Sequence, residues 1–355
     1  MDKRWKQLGE IMVKHSAEVK PGQKVMIAMQ EIETFPLVQA VYEEAVKAGA
    51  LVQVQFLSEY LRHSLMKYGT PEQIGWVPEI EAYGMEWADV YFGLRGGHNL
   101  YEFADISPER LSLSQKANGK ISTMRWEKTR WTLVRVPNDA FAQQAETDLE
   151  TITEMFFNSS LLDWTAISKE WARLAAILEQ GSEMHVLGKG TDLKFSIAGR
   201  KWLVGDGRIN MPDGEIYTAP VHETLDGTIS FEFPGVLGGR QVPDIQLTWK
   251  EGKLVEATSS KNQDFLHQIL ASDAGSSNIG EFAFGVNPYV DRFTTDILID
   301  EKIGGTIHMA LGRAYAECGG TNKSAIHWDI VKDTRTNSCI TLDGKTIFEN
   351  GKILI

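Results

Sequence analysis

Two short apolar runs, VMIAMQ (Val25–Gln30) and LVQVQF (Leu51–Phe56), flank a segment with the marks of a single helix. Thr34 stands where an N-cap belongs, Pro36 falls in the first turn, the pattern reaches about Lys47, and Gly49 supplies a stop. A strand, a helix and a strand of these lengths close as a βαβ unit, with parallel strands and a right-handed crossover. Ala88–Leu94 and Arg130–Pro137 read as two further strands of the same sheet. A long amphipathic helical stretch is expected from Asp139 to Gln180. Between them, Arg95-Gly96-Gly97-His98-Asn99 has neither the Rossmann nor the P-loop glycine spacing, and is expected to be a tight strand-to-helix turn.

After Gly181 the texture changes. MHVLGKGTDLKFSIAG (184–199), GTISFEFPG (227–235) and IQLTWKEGKLVEATSS (245–260) are short alternating runs punctuated by Gly, Asp and Asn. They predict an antiparallel, β-rich region with few helices. The fold class expected is therefore α/β (α+β). A βαβ-type domain with a parallel sheet spans 1–181, and a mixed, β-rich catalytic domain spans 182–355. A chain of 355 residues suits two domains at roughly 100–200 residues each.

The net charge of −12 and the lack of any Lys/Arg-rich run argue against nucleic acid or an anionic membrane as partner. The N-terminus has no signal-peptide pattern. No window approaches the roughly 20 apolar residues of a membrane span. The two cysteines, Cys318 and Cys339, are not in a metal-ligand spacing and read as small packing residues of a protein in the reducing cytoplasm.

Chemistry concentrates in the second half. In SAIHWDIV (324–331), His327 and Asp329 are two residues apart in a strand-like run, so both point to one face while Ile326, Trp328 and Ile330 pack on the other. A buried carboxylate is costly unless it is paired or ligates a metal. The pair is thus either a structural ion pair or half of a metal site. Glu215 in NMPDGEIYTAP (210–220), Glu281 in GEFAFGVNP (280–288), and His308 and Tyr315 in GGTIHMALGRAY (304–315) are further polar groups in apolar surroundings. If the last segment were helical, the seven-residue spacing would put His308 and Tyr315 on one side. Carboxylates and imidazoles without thiolates suit Zn²⁺, Co²⁺ or Mn²⁺. Five such ligands exceed what one catalytic zinc takes and match a two-metal site with one bridging carboxylate.

These stretches carry a resemblance. Met211, Pro212, Glu215, Thr218 and Pro220 match a Met-Pro-x-x-Glu-x-x-Thr-x-Pro segment of the thermophilic metalloaminopeptidase family, the aminopeptidase T and aminopeptidase S type. Leu225–Phe231, Gly280-Glu281, Asp300-Glu301, the run His308, Ala310, Leu311, Gly312 and Tyr315, and finally Ser324, His327 and Asp329 match further segments in order. The early Val19–Val25 run and RWTLVRVP (130–137) are similar too, so the resemblance covers nearly the whole chain. It implies release of N-terminal amino acids from peptides at a dinuclear centre held by Glu215, Glu281, His308, His327 and Asp329. Glu215 or Glu281 would be the general base, Tyr315 an oxyanion donor, and the assembly a homodimer. Two rivals stay open: a mononuclear iron ring-cleaving dioxygenase on the same scaffold, and a metal-stabilised binding protein without turnover.

Overall fold

The computed structural model describes residues 2–355, without the side chains of 125–127. The chain folds as two compact units, one running to Leu162 with Gly207–Pro212, the other comprising Asp163–Asp206 and Asp213–Ile355. The boundary expected near residue 182 lies at the change of texture. The helix before it, Trp164–Leu178, belongs to the second unit.

The first unit is built on four parallel strands, β1 (Lys24–Gln30), β2 (Leu51–Leu57), β3 (Val90–Arg95) and β4 (Arg130–Arg135). They lie in the order β2-β1-β3-β4, and the short strand Asn210–Met211 adds to β4 in parallel. β1 and β3 are apolar almost throughout because helices cover both faces of a parallel sheet. β2 is an edge strand, and its Leu51 and Phe56 are exposed. Around the sheet run α1 (Lys3–Ile11), α2 (Phe35–Lys47), α3 (Glu59–Tyr68), α4 (Pro71–Gly75), α5 (Glu79–Trp87) and α6 (Pro108–Lys128). Gly49 sits at φ +81° just past α2, a left-handed position that glycine adopts at little steric cost.

Two expectations need correction here. The stretch 139–180 is three helices, Asp139–Gln144, Leu149–Ser160 and Trp164–Leu178, not one. Asp148 and Asp163 each accept a backbone N–H three residues on (2.8 and 3.1 Å), and such caps start new helices within a continuous amphipathic pattern. Residues 95–99 are not a tight turn into a helix, since α6 begins only at Pro108. Gly96 and Gly97 are instead held from outside, their carbonyls accepting from Asn138 Nδ2 (2.9 and 3.1 Å).

In the second unit an eight-stranded antiparallel sheet packs on a five-stranded one. The smaller sheet comprises β5 (Leu203–Gly205), β6 (Glu215–Thr218), β7 (Ile279–Gly285), β8 (Thr306–Gly312) and β9 (His327–Lys332), in the order β9-β8-β7-β6-β5 and antiparallel throughout. Its apolar face carries Phe282, Phe284, Met309, Trp328 and Ile330, all buried. Phe282 lies 5.0 Å from Phe195 of the larger sheet, and Phe284 lies 5.6 Å from Phe348. Each such side chain contributes about 1.5–3 kcal/mol on burial. A one-residue slip of any strand would lose it, which fixes the register and therefore the opposite face.

Candidate metal centre

That opposite face is where the polar residues gather. Residues directly opposed across an antiparallel pair share a face. Glu281 pairs with Ala310 and Ala310 with Asp329; Ala283 pairs with both His308 and Tyr217; Gly312 pairs with His327, and Gly285 with Glu215. Glu215, Tyr217, Glu281, His308, His327 and Asp329 therefore project to one side, separated by Ala283, Ala310, Gly285 and Gly312. The small residues leave room for the large polar ones. Gly205 serves the same end, since a Cβ there would lie 2.3 Å from Asp213 Oδ1 and 2.9 Å from Glu215 Cγ.

The functional groups converge closely. Glu215, Glu301 and His308 form one triad, and Glu281, His327 and Asp329 another; within each, one ligand atom per residue lies within 4.8 Å of the others. His308 Nε2 is 3.1 Å from Glu215 Oε2 and 3.5 Å from Glu281 Oε1. The other oxygen of Glu281 is 3.0 Å from His327 Nε2, which is 3.5 Å from Asp329 Oδ2. Glu281 thus spans the two imidazoles. His327 Nδ1 lies 2.7 Å from the Arg313 carbonyl, which can only accept, so this nitrogen carries the proton and Nε2 is aimed at the carboxylates. Lys302, fully buried, donates to Glu215 Oε1 (2.8 Å) and to Glu301, and lies 3.7 Å from Asp213.

The electrostatics are those of a site short of positive charge. Burial pushes the Glu215 carboxyl up, but Lys302 and His308 outweigh it and leave it below its ordinary range. Burial likewise opposes ionisation of Glu281, and the imidazoles of His308 and His327 overcome it, holding the group at about 2. Glu301 has no such surplus. Burial, with Glu215 and Asp329 nearby, carries it to about 8 despite Lys302. Asp329 is raised chiefly by burial. Burial lowers both imidazoles, yet the surrounding carboxylates raise His308 well above its ordinary value and bring His327 to about 10. The cluster therefore holds protons where it can, as buried carboxylates without enough cations must. Glu215 Oε2, Asp329 Oδ1 and both ring nitrogens of His308 are buried and make no aligned hydrogen bond among the described residues, although His308 Nε2 and Glu215 Oε2 face each other as an ion pair. Carboxylate oxygens and imidazole nitrogens, with no thiolate among them, are a donor set that fits divalent metal once protons leave.

All five ligand residues named from sequence meet here. Tyr315 also arrives, though not by the helical spacing considered above. Its neighbour His308 is on strand β8, and Tyr315 follows at the turn leading into Ala316–Cys318. Its ring lies 5.0 Å from that of His327 and 5.5 Å from Tyr217. Glu281 belongs to strand β7, next to a bulge between Ile279 and Glu281. Glu301, Lys302 and Asp213 were not among the site residues picked from sequence. The signal for Glu301 and Lys302 was Asp300-Glu301-Lys302 in ILIDEKIGG, three consecutive charges inside an apolar run.

Comparison with known proteins agrees with this architecture. A family model described as thermophilic metalloprotease (M29) matches residues 1–353. Aminopeptidase T of Thermus thermophilus is 27% identical over 348 residues, 88% of this chain and 85% of that protein. Among solved structures, wild-type AmpT from Thermus thermophilus has a TM-score of 0.89 at 24% identity, with 99% of each chain covered. The 2,5-dihydroxypyridine dioxygenase of Pseudomonas putida KT2440 has a TM-score of 0.61 at 16% identity, over 100% of this chain and 98% of that one. At these identities the two structures speak for the fold alone. The family match spans nearly every residue, and the chain belongs to the M29 family of thermophilic metalloproteases.

Proposed function

We propose that the protein is a metal-dependent aminopeptidase that removes N-terminal amino acids from peptides at a dinuclear site. The observation that carries this reading is the pair of adjoining, largely buried triads joined by Glu281. Glu215, Glu301 and His308 would hold one divalent ion, and Glu281, His327 and Asp329 the other, with Glu281 as the bridging carboxylate. Zn²⁺, Co²⁺ and Mn²⁺ suit these donors. When bound, the metals supply Lewis acidity and bring the pKa of water from about 15.7 toward about 7. The protein's part is to position, exclude water and move the proton. Whichever of Glu215 and Glu281 is not committed to metal would accept the proton of the attacking water. The Tyr315 phenol, raised by burial and so kept protonated, donates a hydrogen bond to the oxyanion that develops on the scissile carbonyl. The named activity of aminopeptidase T in Thermus thermophilus supports the substrate class.

A mononuclear iron dioxygenase has one observation in its favour. His308, His327 and Glu281 lie together as two imidazoles and one carboxylate on a fold shared with a dioxygenase. That set would leave Asp329 without a metal and Glu215 and Glu301 with Lys302 as their cation, whereas the dinuclear reading gives all three a metal. Free cysteines, one buried and one half-buried, support a reducing cytoplasm. The family resemblance supports a homodimer. Among the described residues no helix is long and apolar enough to cross a membrane.

The test is hydrolysis of leucyl-, arginyl- and glutamyl-p-nitroanilide by metal-loaded protein, beside N-acetyl-leucyl-p-nitroanilide. Cleavage confined to substrates with a free amine is expected. Metal-loaded protein that cleaves none of them would contradict the proposal and favour the binding-protein reading. Oxygen-dependent ring opening of a dihydroxypyridine by iron-loaded protein would favour the dioxygenase.

A further inference from the structure

The first unit contains a cavity of about 710 Å³, within the roughly 300–1,000 Å³ typical of small-molecule sites. It opens where β1 and β2 end, at Gln30 and Leu57, the carboxyl ends at which open parallel sheets commonly bind ligands. Its wall is largely apolar. Phe56, Leu61, Leu65 and Trp76 line it and are all exposed, between 42% and 66%. Four large apolar side chains open to water around one concavity are costly to maintain without an occupant.

Four charged residues line the wall: Glu59, Arg62, Glu72, exposed at the start of α4, and Glu81, half-buried on α5. Arg62 is the one cation among these four, and Glu59 shares its helix. Glu59 and Arg62 lie three residues apart on α3 and so share one face of the helix. Both line the cavity, yet no ion pair joins them. Among the described residues, Arg62 has one hydrogen bond, from Nε to Ser114 Oγ (3.3 Å), its guanidinium sits 5.3 Å over the Phe103 ring, and no carboxylate is within ion-pair reach of it. Among the same residues, the Glu59 side chain accepts only from Gln30 Nε2 (3.1 Å). Burial raises the Glu59 carboxyl although Arg135 and Arg62 act against it, and burial lowers the Arg62 guanidinium although Glu59 acts against it. A simple anion would satisfy Arg62 and be repelled by Glu59, Glu72 and Glu81, and a simple cation would satisfy the carboxylates and leave Arg62 without a counter-charge. A ligand bearing both charges on one carbon satisfies both.

We propose that this cavity binds a free α-amino acid with a large apolar side chain. Its carboxylate lies on Arg62, its ammonium on Glu59, and its side chain against Phe56, Leu61, Leu65 and Trp76. Arg62 offers the planar fork that suits a carboxylate, and its terminal N–H groups have no partner among the described residues. The site stands independently of the metal centre and requires none of its residues.

Calorimetric titration of the full chain with L-phenylalanine tests this, alongside N-acetyl-L-phenylalanine, which lacks the ammonium, and L-phenylalaninamide, which lacks the carboxylate. Phenylalanine is expected to bind, and each analogue to bind at least about tenfold more weakly, the loss of one charge-assisted contact. Arg62→Ala and Glu59→Gln should weaken phenylalanine to the same degree and leave leucyl-p-nitroanilide hydrolysis unchanged. Leu61→Asp, at an exposed position that tolerates a polar residue, should abolish binding and guards against misfolding of the other variants. Phenylalanine affinity unaltered in Arg62→Ala and Leu61→Asp would overturn the proposal, as would failure of the wild type to bind. So would a wild-type dimer that binds no phenylalanine and dissociates on Leu61→Asp, because the apolar wall would then be an interface between copies of the chain.

Discussion

At the scale of single residues, the site is defined by charge that only a cation can balance. Glu281 is the most constrained member, lying 3.0 Å from one imidazole and 3.5 Å from the other. Glu281→Gln keeps the shape and removes the charge. It is expected to lower turnover by at least about 10²-fold without loss of folding, since a bridging carboxylate or general base is lost. Near-normal rates in metal-loaded Glu281→Gln would be incompatible with that role. Lys302 carries a different expectation. It is a buried ammonium facing Glu215, Glu301 and Asp213. Lys302→Met leaves those carboxylates without their fixed cation, and breaking a buried charge pair typically costs about 3–5 kcal/mol. Metal-free Lys302→Met should unfold at markedly lower temperature than metal-free wild type, and added metal should restore more stability to the variant than to the wild type. Equal recovery in both would mean that Lys302 does not share the electrostatics of the metal ligands.

At the scale of elements, the strands do the positioning. Glu281 keeps the alternation of Ala283 and Gly285, and the bulge between Ile279 and Glu281 places Ile279 opposite Leu311, with Gly280 at the irregular position. A Cβ on Gly280 would stand 2.4 Å from the Arg313 carbonyl oxygen, the acceptor that orients His327. Gly280→Ala should therefore destabilise by about 1–3 kcal/mol, as overpacking does, and also weaken metal binding, read by melting temperature and bound metal per chain. A loss of stability with metal affinity unchanged would separate the bulge from the site. This scale also explains what could be read from sequence. The βαβ opening was legible because strand and helix periods alternate cleanly from Val25 to Phe56. His327 and Asp329 were legible as a pair because a strand repeats every two residues. Glu301 and Lys302 lie just past the short helix Ile297–Asp300, where neither period applies, and only the tertiary fold buries them. The N-cap residues Asp148 and Asp163 were present in the sequence, but the amphipathic pattern ran through them.

At the scale of the whole molecule, protons and metals compete for the same lone pairs, so metal affinity is linked to pH. In the metal-free protein His327 is raised to about 10 from an ordinary 6.5, chiefly by Asp329 and Glu281 against the cost of burial. A raised folded-state value stabilises below the unfolded value and is lost as pH climbs through the folded one. Metal-free protein should thus lose stability between about pH 6.5 and 10, where the neutral imidazole becomes available to metal. The stabilisation conferred by metal should widen across that window in thermal melts at fixed free metal. A constant gap would argue that His327 is not a ligand. The central claim, two metals per chain doing peptide chemistry, is tested most directly by titrating metal-stripped protein with Zn²⁺, Co²⁺ or Mn²⁺ while following leucyl-p-nitroanilide hydrolysis and bound metal together. Activity absent without metal and rising to a plateau at two equivalents per chain is predicted. Full activity in protein verified metal-free, or a plateau at one equivalent, would contradict it.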